Sequence, residues 1–342
     1  MNSRSLCFLF SIALTASLMA WGQDSKSQNA SQNDGSMLGK MQSESKVPNG
    51  VILVKGAWSS SSDSLTPTPE GGNVTNAAVN NPYFAITYPL PPNWIEKYKG
   101  PPPSDSGLYV LAQLSPADTF EGRARGSILI TAQDMFFSPT PAANALEYVH
   151  RSNSHLQTEY KVEVAPKETR IAGRSFATFE YWSPVAELHW YDLATEIRCH
   201  IVEFVLTSRD EKLLQTLIQN MSSMQLPLEG TSAARTGSGE SPVCVKDYAS
   251  DENVVARVDP VFPQHRFNAV PVRMIIDKEG KVKHIHFLSA FPDQEKAISE
   301  ALRQWKFKPY LQNGKAVEVE TGVMFGRTQD PTPSAVENAS SD

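Results

Sequence analysis

The sequence predicts an α+β protein with two folded domains: an N-terminal antiparallel sheet with packed helices, then a small C-terminal β-β-α-β unit. Within residues 81–228, strand-like runs, a helical pattern, further strand-like runs and a second helical pattern follow one another. That order is typical of an antiparallel sheet covered by helices. Residues 229–242 are rich in Gly, Ser and Thr, which is typical of a linker. A shorter pattern then occupies residues 243–326, and 342 residues leave room for about two domains.

The N-terminus has the layout of a secretory signal peptide over residues 1–22. Arg4 precedes an apolar run from Leu6 to Trp21, and the small residues Ala20 and Gly22 lie where cleavage would occur. The run is shorter than the ~20 residues that span a bilayer. We therefore expect an exported, periplasmic protein that begins near Gln23. The alternative is an inner-membrane protein anchored by residues 6–21.

Residues 23–80 are rich in Ser, Asn, Gln, Gly and Pro, and we expect them to be mostly disordered because they bury little apolar surface. The apolar island Val51–Trp58 is the exception, and it is suited to adding a strand to a later sheet. Residues 327–342 form a polar tail that we also expect to be disordered.

The larger domain, residues 81–228, contains strand patterns around two predicted helices. Thr140-Pro141 predicts the start of the first helix, and Ser208 with Glu211 forms a capping-box pattern at the start of the second. The opening "NPYFAITYP", the segment "RIAGRSFATFEYW" and the final amphipathic helix resemble the PsbP-like family. This resemblance implies a PsbP-like fold for the domain.

The C-terminal unit, residues 243–326, shows two strands joined by a hairpin, a helix and a last strand. The turn 277–280 ends in Gly280, which can adopt positive φ, and the helix opens at Pro292. Its apolar positions recur at helical spacing and predict one buried stripe: Ala297, Ile298, Ala301, Leu302 and Trp305. Val317, Val319, Thr321 and Val323 alternate along the predicted last strand.

This unit resembles the C-terminal domain of TonB-family proteins. The likeness rests on "DPVFP", "GKV", "LSA", "ALRQWKFKP" and "NGKAVEVETGVMF" in that order. The motif residues to which the resemblance assigns a structural role are Pro260, Phe262, Pro263, Gly280, Trp305, Phe307, Pro309 and Gly314.

The resemblance implies binding of a short peptide segment of an outer-membrane transporter in the periplasm. The physical mode is strand addition, in which a peptide pairs with an exposed sheet edge through main-chain hydrogen bonds. The predicted edge is the last strand, with the partner-binding residues Val317, Glu318, Val319, Glu320, Thr321, Val323 and Phe325. The alternative is an edge covered by the tail or by a second copy of the chain, which would form a homodimer.

The function expected from the sequence is that of an exported, non-enzymatic interaction protein connected with TonB-dependent outer-membrane transport. A short apolar segment without histidine, and a globular domain in place of a long Pro-rich spacer, leave energy transduction unsupported. The alternatives are a periplasmic carrier whose N-terminal domain binds a small molecule or lipid, and an anchored TonB-type energy transducer if residues 6–21 are retained. A net charge of −6 argues against nucleic-acid binding.

No motif for catalysis, a cofactor or a metal stands out in the sequence. Cys199 and His200 are neighbours whose side chains would point to opposite faces of a strand. His284 and His286 share one face but lack evident further ligands. Four aromatic residues are suited either to lining a groove or to sheet packing: Tyr181, Trp182, Trp190 and Tyr191. Cys199 and Cys244 either form a disulfide or remain a buried thiol and a linker thiol.

Overall fold

The computed structural model describes residues 51–53, 61–63, 68–69, 71–98, 107–120, 123–138, 141–227, 242–263 and 268–326. The predicted signal peptide and C-terminal tail lie outside these residues, as does the predicted linker except for Pro242. Among the described residues, no helix combines the length and apolar character needed to cross a membrane.

The strands that precede the first helix are two to nine residues long. They are β1 (Val51–Leu53), β2 (Ser61–Asp63), β3 (Asn73–Val74), β4 (Ala78–Asn81), β5 (Ile86–Pro89), β6 (Trp94–Tyr98), β7 (Leu108–Pro116), β8 (Thr119–Phe120), β9 (Arg123–Ala124) and β10 (Gly126–Asp134).

The remaining elements are three helices and strands of two to eleven residues. They are α1 (Ala145–Ser154), β11 (Lys161–Ile171), β12 (Arg174–Ser183), β13 (Leu188–Ile197), β14 (His200–Ser208), α2 (Glu211–Asn220) with a 3₁₀ turn at Met221–Ser223, β15 (Val243–Cys244), β16 (Val254–Ala256), β17 (Val270–Ile276), β18 (Val282–Phe287), α3 (Pro292–Leu302), β19 (Lys306–Phe307), β20 (Leu311–Gln312), β21 (Lys315–Ala316) and β22 (Val319–Phe325).

The first domain is built on a seven-stranded antiparallel sheet in the order β11-β12-β13-β14-β10-β7-β6. One face carries the larger apolar core, which includes Tyr88, Leu114, Phe204 and Leu217. The three-stranded sheet β3-β4-β5 and helix α2 supply residues to this core. Helix α1 covers the opposite face, where Val149 belongs to a second apolar cluster. The predicted α+β class is confirmed.

Both helices of this domain begin later than the sequence patterns predict. Asn144 caps α1 by accepting a hydrogen bond from the N–H of Glu147 at 2.8 Å, so the predicted start at Thr140-Pro141 is wrong. Asp210 caps α2 by accepting from the N–H of Lys212 at 2.9 Å. Ser208 instead belongs to β14, and its hydroxyl donates to the carbonyl of Arg125.

The C-terminal sheet has the order β1-β2-β18-β17-β22-β15. Strands β17, β18 and β22 with helix α3 form the predicted β-β-α-β unit, and the predicted stripe on α3 is buried as far as Trp305. The island strand β1 joins this sheet through β2, which pairs with β18. Strands β1 to β4 all begin within residues 23–80, so pairing with later strands gives structure to part of a segment predicted as mostly disordered.

Candidate partner-binding edge and the charges behind it

The predicted partner-binding edge carries an added strand at one end. Strand β15 runs parallel to β22, pairing Val243 with Val319 and Cys244 with Glu320. The N–H of Val243 donates to the carbonyl of Glu318 at 2.7 Å, and the N–H of Val245 donates to that of Glu320 at 3.0 Å. The edge is therefore not open at Glu318–Glu320. Among the described residues, no strand pairs with this side of β22 beyond Glu320.

The direction of the main chain along β22 defines which groups face a partner. The carbonyls of Glu318 and Glu320 face β15, and alternation with a period of two gives the main chain of Gly322 and Met324 the same direction. Met324 pairs with Pro271, which has no N–H to donate. The outward-facing main-chain N–H and C=O groups of Gly322 and Met324 therefore extend the edge of β22 beyond the residues that pair with β15.

The main-chain groups of the remaining predicted edge residues face the interior of the C-terminal module. Val317 precedes β22 and donates its N–H to the carbonyl of Tyr310 at 3.0 Å. Val319, Thr321, Val323 and Phe325 direct their main-chain groups toward β17. The side chains of Val319 and Phe325 are buried in the core beneath the sheet.

Glu320 connects β22 to the first domain through a buried charge cluster. Its carboxylate accepts a hydrogen bond from the hydroxyl of Tyr83 at 2.8 Å. Arg198, at the turn between β13 and β14, donates to the same carboxylate through Nε at 3.2 Å and Nη2 at 3.3 Å. The guanidinium of Arg198 also lies 3.8 Å from the ring centre of Tyr83. These contacts attach the last strand to two separate segments of the first domain.

Arg273, on the central strand β17, completes this cluster. Its Nε donates to Asp134 Oδ2 at 2.7 Å and its Nη1 donates to Glu320 Oε1 at 3.2 Å. Asp134 also accepts from the N–H of Phe136 at 2.7 Å. Two arginines and two carboxylates make a cluster without formal net charge, and all four side chains are more than nine-tenths buried. Buried charges need this kind of mutual pairing.

The buried environment shifts the protonation of the groups in the cluster. Burial alone would raise the pKa of Glu320, but Arg198 and Arg273 hold it below its ordinary value. Burial raises the pKa of Asp134, against the opposing effect of Arg273. Burial and the neighbouring Arg273 lower the pKa of His200 well below its ordinary value. His200 is therefore neutral near pH 7, and its Nε2 does not form an ion pair with Asp134 at 3.7 Å.

Gly322 lies at a close approach between the two domains. A Cβ added at this position would lie 2.8 Å from Cζ of Phe137 and 3.0 Å from Cβ of Phe136. Both phenylalanines lie in the turn after β10, where Met135 separates them from Asp134. The absence of a side chain at Gly322 thus lets β22 pack against the first domain.

A disulfide between Cys199 and Cys244 adds a covalent link at the same place, with the two Cα atoms 5.7 Å apart. Cys199 follows Arg198 in the turn between β13 and β14, where both residues have positive φ. The disulfide, left open by the sequence, thus joins this turn to β15. With its sulfur in a disulfide, Cys199 has no thiolate to act as a nucleophile beside His200.

The motif residues from Gly280 onward lie in turns, in the core and on the surface of the C-terminal unit. Gly280 has φ +80°, and a Cβ there would lie 2.0 Å from the carbonyl oxygen of Phe307. Trp305 is buried, and its indole N–H donates to the carbonyl of Val258 at 2.7 Å. Gly314 has φ +77° in the turn between β20 and β21, and Pro309 is exposed.

The first motif segment is on the surface. Pro260, Phe262 and Pro263 lie outside any helix or strand, and the side chain of Phe262 is 37% exposed. The segment is held near the core by the carbonyl of Val258, which accepts from Trp305.

The other residues singled out in the sequence do not assemble into one site. Tyr181 and Trp190 pair across neighbouring strands and stack at 5.2 Å, while Trp182 stacks on His189. Adjacent residues of a strand point to opposite faces, so Trp182 and Tyr191 lie on the other face from Tyr181 and Trp190. One groove cannot be lined by all four aromatic side chains.

The two histidines of β18 differ in burial. His286 pairs with Arg273 on the neighbouring strand, and it is buried, whereas His284 is partly exposed. Across the described residues, no group of three or more His, Cys, Asp or Glu side chains is arranged to hold a metal ion.

Comparison with known proteins distinguishes the C-terminal unit from the rest of the chain. Residues 268–326 match the family model described as Gram-negative bacterial TonB protein C-terminal. The predicted TonB-like resemblance is confirmed. The matched segment contains β17, β18, α3 and β22, and the match indicates a protein-interaction role for this TonB-like module. No curated protein matches the chain with significance.

Among solved structures, the solution structure of cyanobacterial PsbP (CyanoP) from Synechocystis sp. PCC 6803 is similar to this chain. The TM-score is 0.33 and the sequence identity 16%, and the match covers 46% of this chain and 96% of that chain. PsbP is the family that the motifs of the first domain resemble. The TonB C-terminal family matched by residues 268–326 is in general not enzymatic.

Sequence reasoning did not single out Arg273, Asp134 or Arg198, which help to join the two domains. Arg273 interrupts the apolar strand sequence "VPVRMII", and Asp134 ends the strand "GSILITAQD". A charged residue within or directly after a buried strand requires a partner, and this signal was available in the sequence. The partners themselves are far apart in the chain, because Asp134 and Arg273 are separated by 139 residues.

Proposed function

We propose that this chain is an exported protein whose TonB-like module binds an extended segment of a protein partner by strand addition. The observation that carries the proposal is the pairing of β15 on β22. The side of β22 that would receive a partner already holds a short parallel strand through main-chain hydrogen bonds. The match of residues 268–326 to the TonB C-terminal family supports a protein partner, and we infer an outer-membrane transporter of the TonB-dependent class.

Two further observations support export to the periplasm. The N-terminal 22 residues have the layout of a cleavable signal peptide. The disulfide between Cys199 and Cys244 is of the kind that persists in oxidising compartments such as the periplasm. The four aromatic residues considered for lining a carrier's groove lie on two faces of the sheet, so we do not advance the carrier function.

Site-specific photocrosslinking tests the location of the partner. A benzophenone amino acid replaces Met324, which is 38% exposed on the free part of the edge, or Val185, which is 85% exposed on the first domain. Irradiation of cells that export each variant should give a protein adduct from position 324 and not from position 185. The same adduct from both positions, or none from position 324, would refute binding at this edge.

A pair of proline variants then tests the strand-addition mechanism with the identified partner. Met324→Pro removes an N–H that faces away from β17, so we expect binding to weaken at least about tenfold with little change in melting temperature. Val323→Pro removes an N–H that faces β17 and should destabilise the module by about 1–3 kcal/mol. Calorimetric titration and thermal melting measure the two effects, and unchanged binding by Met324→Pro would refute main-chain pairing there.

A further inference from the structure

We infer that β15 is an autoinhibitory strand, held on the partner-binding edge by the Cys199–Cys244 disulfide and released by a dithiol reductant. The inference rests on the proposed function, because it concerns the same edge of β22. In addition, the oxidation state of the Cys199–Cys244 pair would regulate access to this edge.

The main-chain contacts of β15 are those that a partner strand would need. The N–H groups of Val243 and Val245 are bonded to the carbonyls of Glu318 and Glu320. These carbonyls cannot at once offer the same geometry to another strand. A partner that pairs with the full length of β22 must therefore displace β15.

Strand β15 itself is short, and its main-chain bonds to β22 are made by Val243 and, just after the strand, by Val245, next to the Thr321 hydroxyl that donates to the carbonyl of Lys246. The strand spans two residues, of which Val243 is partly exposed and Cys244 is exposed. Strands of globular proteins usually have about 3–10 residues. The disulfide supplies the covalent connection that this short strand lacks, because Cys199 is buried in the turn that also carries Arg198.

The two cysteines differ in accessibility, which gives the exchange reaction a direction. Cys244 is exposed and Cys199 is 7% exposed, so the thiolate of a dithiol reductant attacks the sulfur of Cys244. An S–S bond forms between reductant and Cys244 as the bond to Cys199 breaks, leaving a Cys199 thiolate. The second thiol of the reductant then closes its own disulfide and releases Cys244. Two electrons pass to the cysteine pair, and both thiolates take protons.

Hydrogen exchange tests release of β15 without a partner. In the disulfide-bonded protein the amides of Val243 and Val245 should be protected. After treatment with a dithiol, or in the Cys199→Ser/Cys244→Ser variant, they should exchange at least about tenfold faster. The amides of Val272 and Val323, within the β17–β22 pair, should stay protected and so report that the module remains folded. Unchanged exchange at Val243 and Val245 would overturn the inference.

A peptide-binding experiment tests access to the edge. The probe is a labelled synthetic copy of residues 242–247 carrying Cys244→Ser. It should bind the reduced protein about tenfold or more tighter than the disulfide-bonded protein, since the two main-chain bonds of β15 no longer compete. With the disulfide intact, Val243→Pro should increase binding because it removes a bond of β15, whereas the matched variant Val243→Ala keeps that N–H and should not.

The two measurements separate the inference from the proposed function. Fast exchange at Val243 and Val245 with tighter peptide binding supports both. Fast exchange without any gain in peptide binding supports the release of β15 and contradicts strand addition at this edge. Tight peptide binding to the disulfide-bonded protein, equal to that of the reduced protein, overturns autoinhibition while leaving strand addition in place.

Discussion

Replacement of Arg273 by methionine should strongly destabilise the protein. The guanidinium is 2% exposed and bridges Asp134 and Glu320, which belong to different domains. Methionine preserves much of the side-chain volume but supplies neither charge nor hydrogen-bond donors. Glu320 would keep its contacts with Arg198, whereas Asp134 would lose the cation with which it is paired, leaving one buried negative charge without a partner.

The expected cost follows from that unpaired charge. Removing one partner of a buried ion pair usually costs about 3–5 kcal/mol, whereas exposed pairs contribute about 0–1 kcal/mol. We therefore expect Arg273→Met to lower the free energy of unfolding by about 3–5 kcal/mol. This is a large part of the ~5–15 kcal/mol that stabilises a typical domain. Adding Asp134→Asn should restore at least about 1 kcal/mol, because it removes the excess charge.

Urea unfolding followed by circular dichroism measures the effect. The matched control is Lys283→Met, on the adjacent strand β18. Its ammonium lies 2.8 Å from Glu318 Oε1, but the lysine side chain is 46% exposed, so the loss should stay below about 1 kcal/mol. Equal, small losses for Arg273→Met and Lys283→Met would refute the buried character of the charge cluster.

Two more predictions concern the turn glycines and the acid response. Gly280→Ala should lower the free energy of unfolding by more than about 2 kcal/mol, because φ is +80° and the new Cβ would overlap the carbonyl of Phe307. Gly314→Ala, at φ +77° with open space around the new Cβ, should lower it by about 1 kcal/mol. Thermal melting of the two variants measures the difference. Similar losses would contradict the close contact at Gly280. Glu320 has a folded-state pKa below its ordinary value of about 4.5, so its contribution is present above that pH and is lost as the pH falls through the folded pKa. The stability difference between wild type and Glu320→Gln should shrink on acidification below pH ~4.5, and a constant difference in urea unfolding from pH 7 to 3 would contradict this.

The C-terminal unit was predictable in detail because its signals are local. Hydrophobic spacing places the stripe from Ala297 to Trp305, and Gly280 lies in a turn between two alternating runs. The helix starts of the first domain were less predictable. Asn144 and Asp210 cap α1 and α2, although Thr140-Pro141 and Ser208 offered competing cap residues nearby.

The contacts between the domains could not be read from the sequence. Arg273 and Asp134 each signal that a buried charge needs a partner, but the partner is defined only when the β13–β14 turn, the end of β10, strand β17 and the last strand meet. The same holds for β15, whose two residues give no strand pattern of their own. Val243 and Cys244 become a strand because β22 offers its main-chain groups and Cys199 lies close enough for a disulfide.

The close packing at Gly322 means that the contact between the two domains depends on the lack of a side chain at this position. A Cβ at this position would lie 2.8 Å from Phe137 and 3.0 Å from Phe136, so a side chain there would require the sheet or these phenylalanines to shift. A TonB-like module transplanted from another protein would need this same gap, at the same point on its last strand, to pack against the first domain in this way. The packing of the two domains thus depends on a glycine at position 322, as well as on the surrounding charged residues.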